Sequence, residues 1–238
     1  MADIREIEVV VFDILGTLVD ESSGLRAEIR DALPTSDDGS DNGADDGSVD
    51  ELLAMWQRHV ETEQRRIGQG HRAYADSEVI DAEAAQLVAD RAGLTDPATI
   101  ARLSTATRRL PPWGDSVAGL ERLTRQFPVL GLSNAARTAL LRLNAHAGLR
   151  WHQVLSGEAV LAYKPAPEVY QLAVDTAGHP PERVLMVAAH AWDLRGAQAR
   201  GMRTAYVHRP VGDPPTDSDA FDWRFDGLDD LVTALTAR

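Results

Sequence analysis

Short, largely apolar runs are the clearest feature of the hydrophobic pattern along this chain. Residues 7–12 are rich in β-branched side chains and end at Asp13. Similar runs at 127–132, 184–189 and 204–207 are each followed by polar residues. Apolar runs of this length are typical of buried parallel strands. The pattern therefore predicts four strands of a parallel sheet.

The segments between these runs have the spacing of amphipathic helices. Helices are predicted at 116–126, 138–147, 167–177 and 193–200. Alternating strands and helices form βαβ units, which place helices on both faces of a parallel sheet. The predicted fold class is α/β, with a doubly wound, Rossmann-like core domain.

Residues 21–109 contain no strong strand pattern and predict a helical cap domain inserted after the first strand. The pair Pro111-Pro112 marks the return to extended backbone. The core domain is then formed by residues 1–20 and 110–238. Within the cap, helical spacing is found at 52–67, 77–92 and 97–108.

Residues 35–50 are rich in Asp and Gly and contain no basic side chain. Such a segment buries too little apolar surface to offset the entropy of ordering it. It is therefore predicted to be an acidic, mobile loop. A calcium-binding loop is the alternative, but the EF-hand spacing is absent.

Composition narrows the class of protein. The 44% of apolar residues is ordinary for a globular chain. The formal charge of −13 argues against a nucleic-acid partner, and the absence of Cys excludes disulfides and thiol catalysis. No apolar run approaches the ~20 residues of a membrane span. We expect a cytoplasmic protein without a membrane partner.

Polar residues follow the predicted strands, where ligands bind in open parallel sheets. Lys164 lies in the Pro-rich loop that precedes the helix at 167–177. A carboxylate beside a lysine and a second carboxylate is suited to nucleophilic catalysis. The residues that follow the strands are Asp13, Ser133, Asn134, His190 and Asp193.

Four short segments resemble, in order, the motifs of the haloacid dehalogenase superfamily. They are residues 12–18, 132–134, 163–165 and 191–193. The resemblance covers residues 5–20 and 110–238, and the helical insertion fits the superfamily's cap.

Two positions depart from the magnesium-dependent phosphatases of that superfamily. Leu15 stands where a phosphatase has a second Asp as general acid, and Ala189 stands where the first metal carboxylate is expected. Magnesium requires hard oxygen ligands. The pattern instead resembles the type II 2-haloacid dehalogenases, which use no metal, so we expect neither a metal nor a cofactor.

The resemblance implies a two-step reaction. The Asp13 carboxylate displaces halide from the α-carbon of a haloacid, and water then hydrolyses the resulting ester. Lys164 and Thr17 are expected to hold the Asp13 carboxylate. Asp193 is expected to orient or deprotonate the water.

The same resemblance suggests a set of substrate contacts. Ser133 and backbone N–H groups from Leu15 onward are candidates for the substrate carboxylate, and Asn134 is a candidate donor to the halide. Tyr170 matches a family tyrosine, and Trp192 is assigned to the substrate pocket.

Two further departures concern the site itself. His190 replaces an amide of the family's fourth motif. In the cap, Trp56 is followed by Gln57, where relatives have an arginine, and arginine comes one residue later at Arg58. One residue rotates a helical side chain by about 100°. Gln57 or another arginine such as Arg65 is then left to contact the substrate.

The expected function is hydrolytic dehalogenation of a short 2-haloalkanoic acid, with halide as the second product. An atypical phosphatase and a non-catalytic binding protein on the same fold are the alternatives. A homodimer is left open.

Overall fold

The computed structural model describes residues 3–34 and 46–237, which form an α/β fold around one sheet. Within these residues the sheet has six strands in the order β3-β2-β1-β4-β5-β6, and every neighbouring pair is parallel. The predicted doubly wound sheet is confirmed. The strands are β1 Val9–Asp13, β2 Val129–Ser133, β3 Gln153–Ser156, β4 Val184–Ala188, β5 Arg203–Val207 and β6 Trp223–Phe225.

The described part of the chain also contains nine α-helices. The first five lie between β1 and β2, α6 to α8 each lie between two successive later strands, and α9 follows β6. The helices are α1 Glu21–Ala32, α2 Asp46–Gly68, α3 Ser77–Ala92, α4 Pro97–Leu103, α5 Ser116–Leu123, α6 Arg137–Ala147, α7 Pro167–Ala177, α8 Ala191–Ala199 and α9 Leu228–Thr236.

The two faces of the sheet are covered by different apolar clusters, as β1 illustrates. Val10 and Phe12 belong to the cluster that includes side chains of α5, α6 and α9, whereas Val9 and Val11 belong to the cluster with α7 and α8. Because successive side chains of a strand point to opposite faces, a continuous apolar run is buried on both sides. This is the reason that β1 lacks the polar alternation of a half-exposed strand.

The sequence pattern finds four of the six strands and misses β3 and β6. These two strands are short and mix polar with apolar residues, Gln-Val-Leu-Ser and Trp-Arg-Phe. They lie at the two edges of the sheet, where one side of the strand lacks a neighbour. Their residues are more exposed than those of the central strands, so a continuous apolar run is not required there.

The prediction of a mobile loop over residues 35–50 is wrong for residues 46–50. These residues begin α2, where Val49 is fully buried and Asp50 pairs with Arg26 of α1 at 2.8 Å. Contact with α1 offsets the cost of ordering an otherwise acidic segment. Residues 35–45 of that prediction lie outside the described residues.

Helices α1 to α4, which lie between β1 and α5 in the sequence, pack on one another. Both α1 and α3 contact α2 and α4. Their apolar side chains join the cluster on one face of the sheet, through residues such as Leu25, Trp56 and Val88. The division into a core domain and a cap at residue 110 stays a prediction. Across the described ranges, none of the helices is both long and apolar enough to cross a membrane.

Candidate active site

Strands β2, β1 and β4 are neighbours, so their carboxyl ends meet at one edge of the sheet. Asp13 is the last residue of β1 and Ser133 the last residue of β2. His190 precedes α8, directly after β4. The sheet thereby brings together residues that are far apart in the sequence.

The Asp13 carboxylate is nearly enclosed, with a side chain only 6% exposed. Its Oδ1 accepts a hydrogen bond from Lys164 Nζ at 2.6 Å. Its Oδ2 accepts one from Thr17 Oγ1 at 2.6 Å and lies 3.2 Å from His190 Nδ1. The carboxylate is thus fixed in orientation by three side chains from three parts of the chain.

The ammonium of Lys164 lies between two carboxylates. Its Nζ donates to Asp13 Oδ1 and Asp193 Oδ2, both at 2.6 Å, and to the Leu132 carbonyl oxygen at 3.2 Å. An ammonium has three N–H donors, and these three acceptors use all of them. The planar guanidinium of arginine has a different donor geometry and could not reproduce this arrangement.

Asp193 lies behind the lysine and is fully buried. Its Oδ2 accepts the bond from Lys164, and its Oδ1 accepts a hydrogen bond from the Tyr170 hydroxyl at 2.6 Å. Tyr170 is also fully buried. In this arrangement Tyr170 orients Asp193, and Asp193 orients the lysine.

Charge pairing decides which groups of this cluster are ionised. Burial alone would raise the pKa of Asp13, but the charge of Lys164 and the contact with His190 outweigh it and hold the pKa below its usual range. Burial opposes the charge on Lys164 as well, yet the two carboxylates raise its pKa. Complete burial raises the pKa of Asp193, and Lys164 offsets this only in part. Asp13 is therefore the ionised nucleophile candidate.

The loop after β1 is held in place by hydrogen bonds from three other parts of the chain. Ala189 N–H donates to Thr17 Oγ1 at 2.9 Å. Arg209 Nε donates to the Thr17 carbonyl at 2.9 Å, and Trp113 Nε1 donates to the Gly16 carbonyl at 3.1 Å. These contacts fix the hydroxyl that binds Asp13.

The imidazole of His190 rests against the backbone of Gly16. Gly16 has φ +78°, and a Cβ at this position would lie 2.5 Å from His190 Cε1. Glycine is thus required both by the left-handed backbone and by the ring. Trp192 also lies near the imidazole, with 5.9 Å between the ring centroids.

Three predicted substrate residues lie at this site, and their polar groups are buried or hydrogen-bonded within the protein. Ser133 is fully buried, and its Oγ accepts the N–H of Ala135 at 3.1 Å. Asn134 Oδ1 accepts the N–H of Lys164 at 2.7 Å, and its Nδ2 donates to Gln64 Oε1 at 3.2 Å. Tyr170 contacts Asp193, as described above. Their assignment to the substrate stays a prediction.

Leu15 and Trp192 are the predicted substrate residues with apolar character. Leu15 is partly buried against the apolar cluster. Trp192 is 37% exposed, and the centroid of its ring lies 6.0 Å from Lys164 Nζ. Trp192 therefore lies on the open side of the cluster.

Helix α2 contributes amides rather than arginine to the described contacts around the site. Gln57 Nε2 donates to Ser22 Oγ at 3.3 Å, at the start of α1. Arg58 is exposed on α2, and Arg65, also exposed, pairs with Glu61 one turn earlier. Neither arginine forms a described contact with the Asp13 cluster.

Three residues near the site are absent from the sequence-based set: Glu21, Gln64 and Arg209. Gln64 lies seven residues after Gln57, a spacing that places both on one face of α2. Glu21 begins α1, and its charge acts on His190 and Asp13. Lys164 does belong to that set, and composition offers a further signal for it. It is the single lysine of the sequence, because all the remaining residues among the 24 Lys and Arg are arginines.

Asp13 and Asp193 are the carboxylates nearest the reaction centre, and both already bind the ammonium of Lys164. Within residues 3–34 and 46–237, no group of three or more His, Cys, Asp and Glu side chains is arranged to hold a metal ion.

Comparisons with known proteins agree with this geometry. Residues 7–201 match the model of the haloacid dehalogenase-like hydrolases. The chain is 30% identical over 209 residues to an (S)-2-haloacid dehalogenase of Pseudomonas putida, covering 86% of this chain and 87% of that protein. The chain belongs to the haloacid dehalogenase-like hydrolase family.

Solved structures give the same result. A crystal structure of an L-2-haloacid dehalogenase superposes with a TM-score of 0.84 at 29% identity, covering 98% of this chain and 100% of that one. An L-2-haloacid dehalogenase from Xanthobacter autotrophicus with chloropropionic acid covalently bound superposes with a TM-score of 0.76 at 27% identity. That superposition covers 95% of this chain and 97% of the other.

Proposed function

We propose that this chain hydrolyses short 2-haloalkanoic acids to 2-hydroxy acids through an ester on Asp13. The observation that carries the proposal is the Asp13 carboxylate, ionised and held by Lys164 and Thr17 at the carboxyl end of the sheet. A fixed anionic oxygen is the group required to displace a halide from carbon. Leu15, two residues later, has no proton to donate to an alcohol leaving group.

In the first step, an oxygen of Asp13 forms a bond to the α-carbon of the haloacid from the side opposite the halogen. The carbon–halogen bond breaks, and the halide leaves with the electron pair. Lys164 holds the direction of attack by binding Asp13 Oδ1. Halide departs as an anion, so this step needs no general acid.

In the second step, water attacks Cγ of Asp13 and the ester is cleaved between Cγ and the alkyl oxygen. Because the bond from that oxygen to the α-carbon is retained, the only inversion occurs in the first step. Relatives named for (S)-2-haloacids support an (S)-substrate. The product is then the (R)-2-hydroxy acid for substrates such as 2-chloropropionate.

The substrate carries a carboxylate of its own. The ammonium of Lys164 is already paired with Asp13 and Asp193, so it is not free to bind that carboxylate. We propose that backbone N–H groups between Leu15 and Thr17 bind that carboxylate and that Asn134 donates to the departing halide. Both Asp13 and Asp193 are paired with the ammonium, which supports a reaction without metal.

The test is halide release from (S)-2-chloropropionate, with EDTA or with added Mg²⁺. We expect equal activity in both conditions. Asp13→Asn should lower turnover by about a thousandfold or more, because the amide lacks the nucleophilic charge. Enzyme quenched during turnover should have a substrate-sized adduct on the peptide that contains Asp13.

Other outcomes identify the alternatives. Activity that requires Mg²⁺ on a phosphate ester, with no halide release, would indicate a phosphatase. Binding of a haloacid in a thermal-shift assay without turnover of either substrate would indicate a binding protein.

A further inference from the structure

The hydrolytic step needs a base that can reach water, and Asp193 is badly placed for it. Its side chain has no exposed surface, and both of its oxygens are hydrogen-bonded, one to Lys164 and one to Tyr170. A water molecule would have to break one of these buried bonds to contact the carboxylate. Asp193 is therefore suited to holding the lysine in place.

His190 is better placed for this task. Its side chain is 20% exposed, and Nδ1 lies 3.2 Å from Asp13 Oδ2, one of the two oxygens of the carboxyl group that becomes the ester. The ring lies against Gly16 and near Trp192. Among the described residues, Nε2 has no hydrogen-bond partner, so the imidazole retains a nitrogen for water or for proton exchange.

The electrostatic environment of His190 changes during the proposed reaction. Burial alone would lower the pKa of the imidazole, but the contact with the Asp13 carboxylate and its charge raise it. Asp193 and Glu21 act in the same direction, and Lys164 is the other cation that faces the cluster. The resting enzyme thus favours an imidazolium paired with Asp13. Esterification removes the charge of Asp13 and with it the main reason for the proton to stay.

We propose that His190 is the general base of ester hydrolysis, made available by esterification of Asp13, and that Asp193 is a positioning residue that acts through Lys164. This inference rests on the proposed dehalogenation. The proton released from the imidazolium leaves to solvent, because the side chain of His190 is 20% exposed.

In the hydrolytic step, neutral His190 takes one proton from water while the water oxygen bonds to Cγ of the ester. The tetrahedral intermediate expels the alkoxide of the product, which takes the proton back from His190. The acid form of Asp13 then transfers its own proton to His190, which restores the ion pair. One proton and one halide are released per turnover.

The experiment compares His190→Asn with Asp193→Asn in a rapid-quench halide assay on (S)-2-chloropropionate at high enzyme concentration. We expect His190→Asn to release about one halide per active site at a rate near that of the unaltered chain. Its turnover should then fall by about a hundredfold to ten-thousandfold, with the ester accumulating on Asp13. Asp193→Asn should lose the burst and the turnover together, because Lys164 and Asp13 are displaced.

The control is His179→Asn, an exposed histidine outside the site, which should behave like the unaltered chain. A second readout is the pH profile of turnover. The acidic limb should disappear in His190→Asn and persist in Glu21→Gln, which separates the imidazole from Glu21, a carboxyl group whose pKa burial raises to about 7.

Each outcome decides between the two proposals. No halide and no ester with the unaltered chain would refute the dehalogenation itself. A normal burst followed by normal turnover in His190→Asn would refute only the role of His190. Loss of the burst in a folded His190→Asn would make His190 a group that positions Asp13. If this variant fails to fold, a turnover pH profile of the unaltered chain without an acidic limb overturns the inference.

Discussion

The two sides of the Asp13 carboxylate differ in burial and in charge pairing. On the inner side, Lys164 and Asp193 are enclosed, and all three ammonium donors have acceptors. On the outer side, His190 and Trp192 are partly exposed. When Asp13 is esterified, Lys164 keeps its bond to Asp193, whereas His190 loses the carboxylate that it contacts.

This difference separates two requirements of covalent catalysis. The nucleophile must be ionised and fixed before substrate arrives, and a buried, fully paired cluster achieves this. The base must be free of its proton only after the ester has formed. A partly exposed imidazole whose strongest charge partner is the nucleophile meets that second requirement.

Among the following substitutions, the largest effect on activity and stability is expected when Lys164 on the inner side is replaced. Lys164→Met keeps the length of the side chain but leaves two buried carboxylates without their cation. We expect halide release to fall by about a hundredfold or more and the free energy of unfolding to fall by about 3–5 kcal/mol.

Lys164→Arg is the matched control, because it keeps the charge and changes the donor geometry. We expect it to recover part of the stability and little of the activity. Thermal unfolding and halide release measure the two effects separately. Full activity in the arginine variant would show that charge alone is sufficient and that the three-acceptor geometry is unimportant.

A smaller effect is expected at Tyr170. Tyr170→Phe leaves one buried oxygen of Asp193 without a donor, which costs about 1–3 kcal/mol. Because Asp193 acts through Lys164, the halide burst and the steady-state turnover should fall by the same factor. Tyr206→Phe, on β5, is the control. A variant that slows only the step after the burst would return Asp193 to the role of water activation.

Asp81 of α3 is buried, and its Oδ2 accepts a hydrogen bond from Thr107 Oγ1 at 2.9 Å. Burial raises the pKa of Asp81 to about 7. A carboxyl group whose pKa is raised on folding stabilises the fold at low pH, and that stability is lost as the pH rises through about 7.

Asp81→Asn should therefore stabilise the protein at pH 8, by about 2 kcal/mol, and have little effect near pH 4. Chemical denaturation at both pH values checks this, with Asp90→Asn as an exposed control on the same helix. Equal effects of Asp81→Asn at both pH values would mean that the buried carboxyl is ionised throughout.

The smallest effect is expected at the amide contact between α2 and the residue that follows β2. Gln64→Leu removes the acceptor for Asn134 Nδ2, while the other bond of that amide, to the N–H of Lys164, remains. A neutral hydrogen bond contributes about 1 kcal/mol, so we expect KM to rise about fivefold with kcat nearly unchanged. A large fall in kcat would place Gln64 nearer to the reaction than the structure does.

The strand pattern and the motif residues could be predicted because their signals are local. The run that ends at Asp13 is apolar since both faces of β1 are covered, and the polar residues after it mark the carboxyl edge. By contrast, β3 and β6 are short edge strands whose composition resembles that of a loop. The start of α2 reads as an acidic loop because its stabilising contact, Arg26 with Asp50, is made by another helix.

The sequence by itself determined the α/β class, the four buried strands and the chemical inventory of the site, because periodicity and motif spacing are properties of neighbouring residues. Only the tertiary structure decided which carboxylate oxygens accept hydrogen bonds within the protein and which side chains water can reach. Asp193 and His190 lie three residues apart at the start of α8, yet one is enclosed and the other is partly open. Burial depends on what packs from distant parts of the chain, here Lys164, Tyr170 and Gly16, and that information is absent from local spacing.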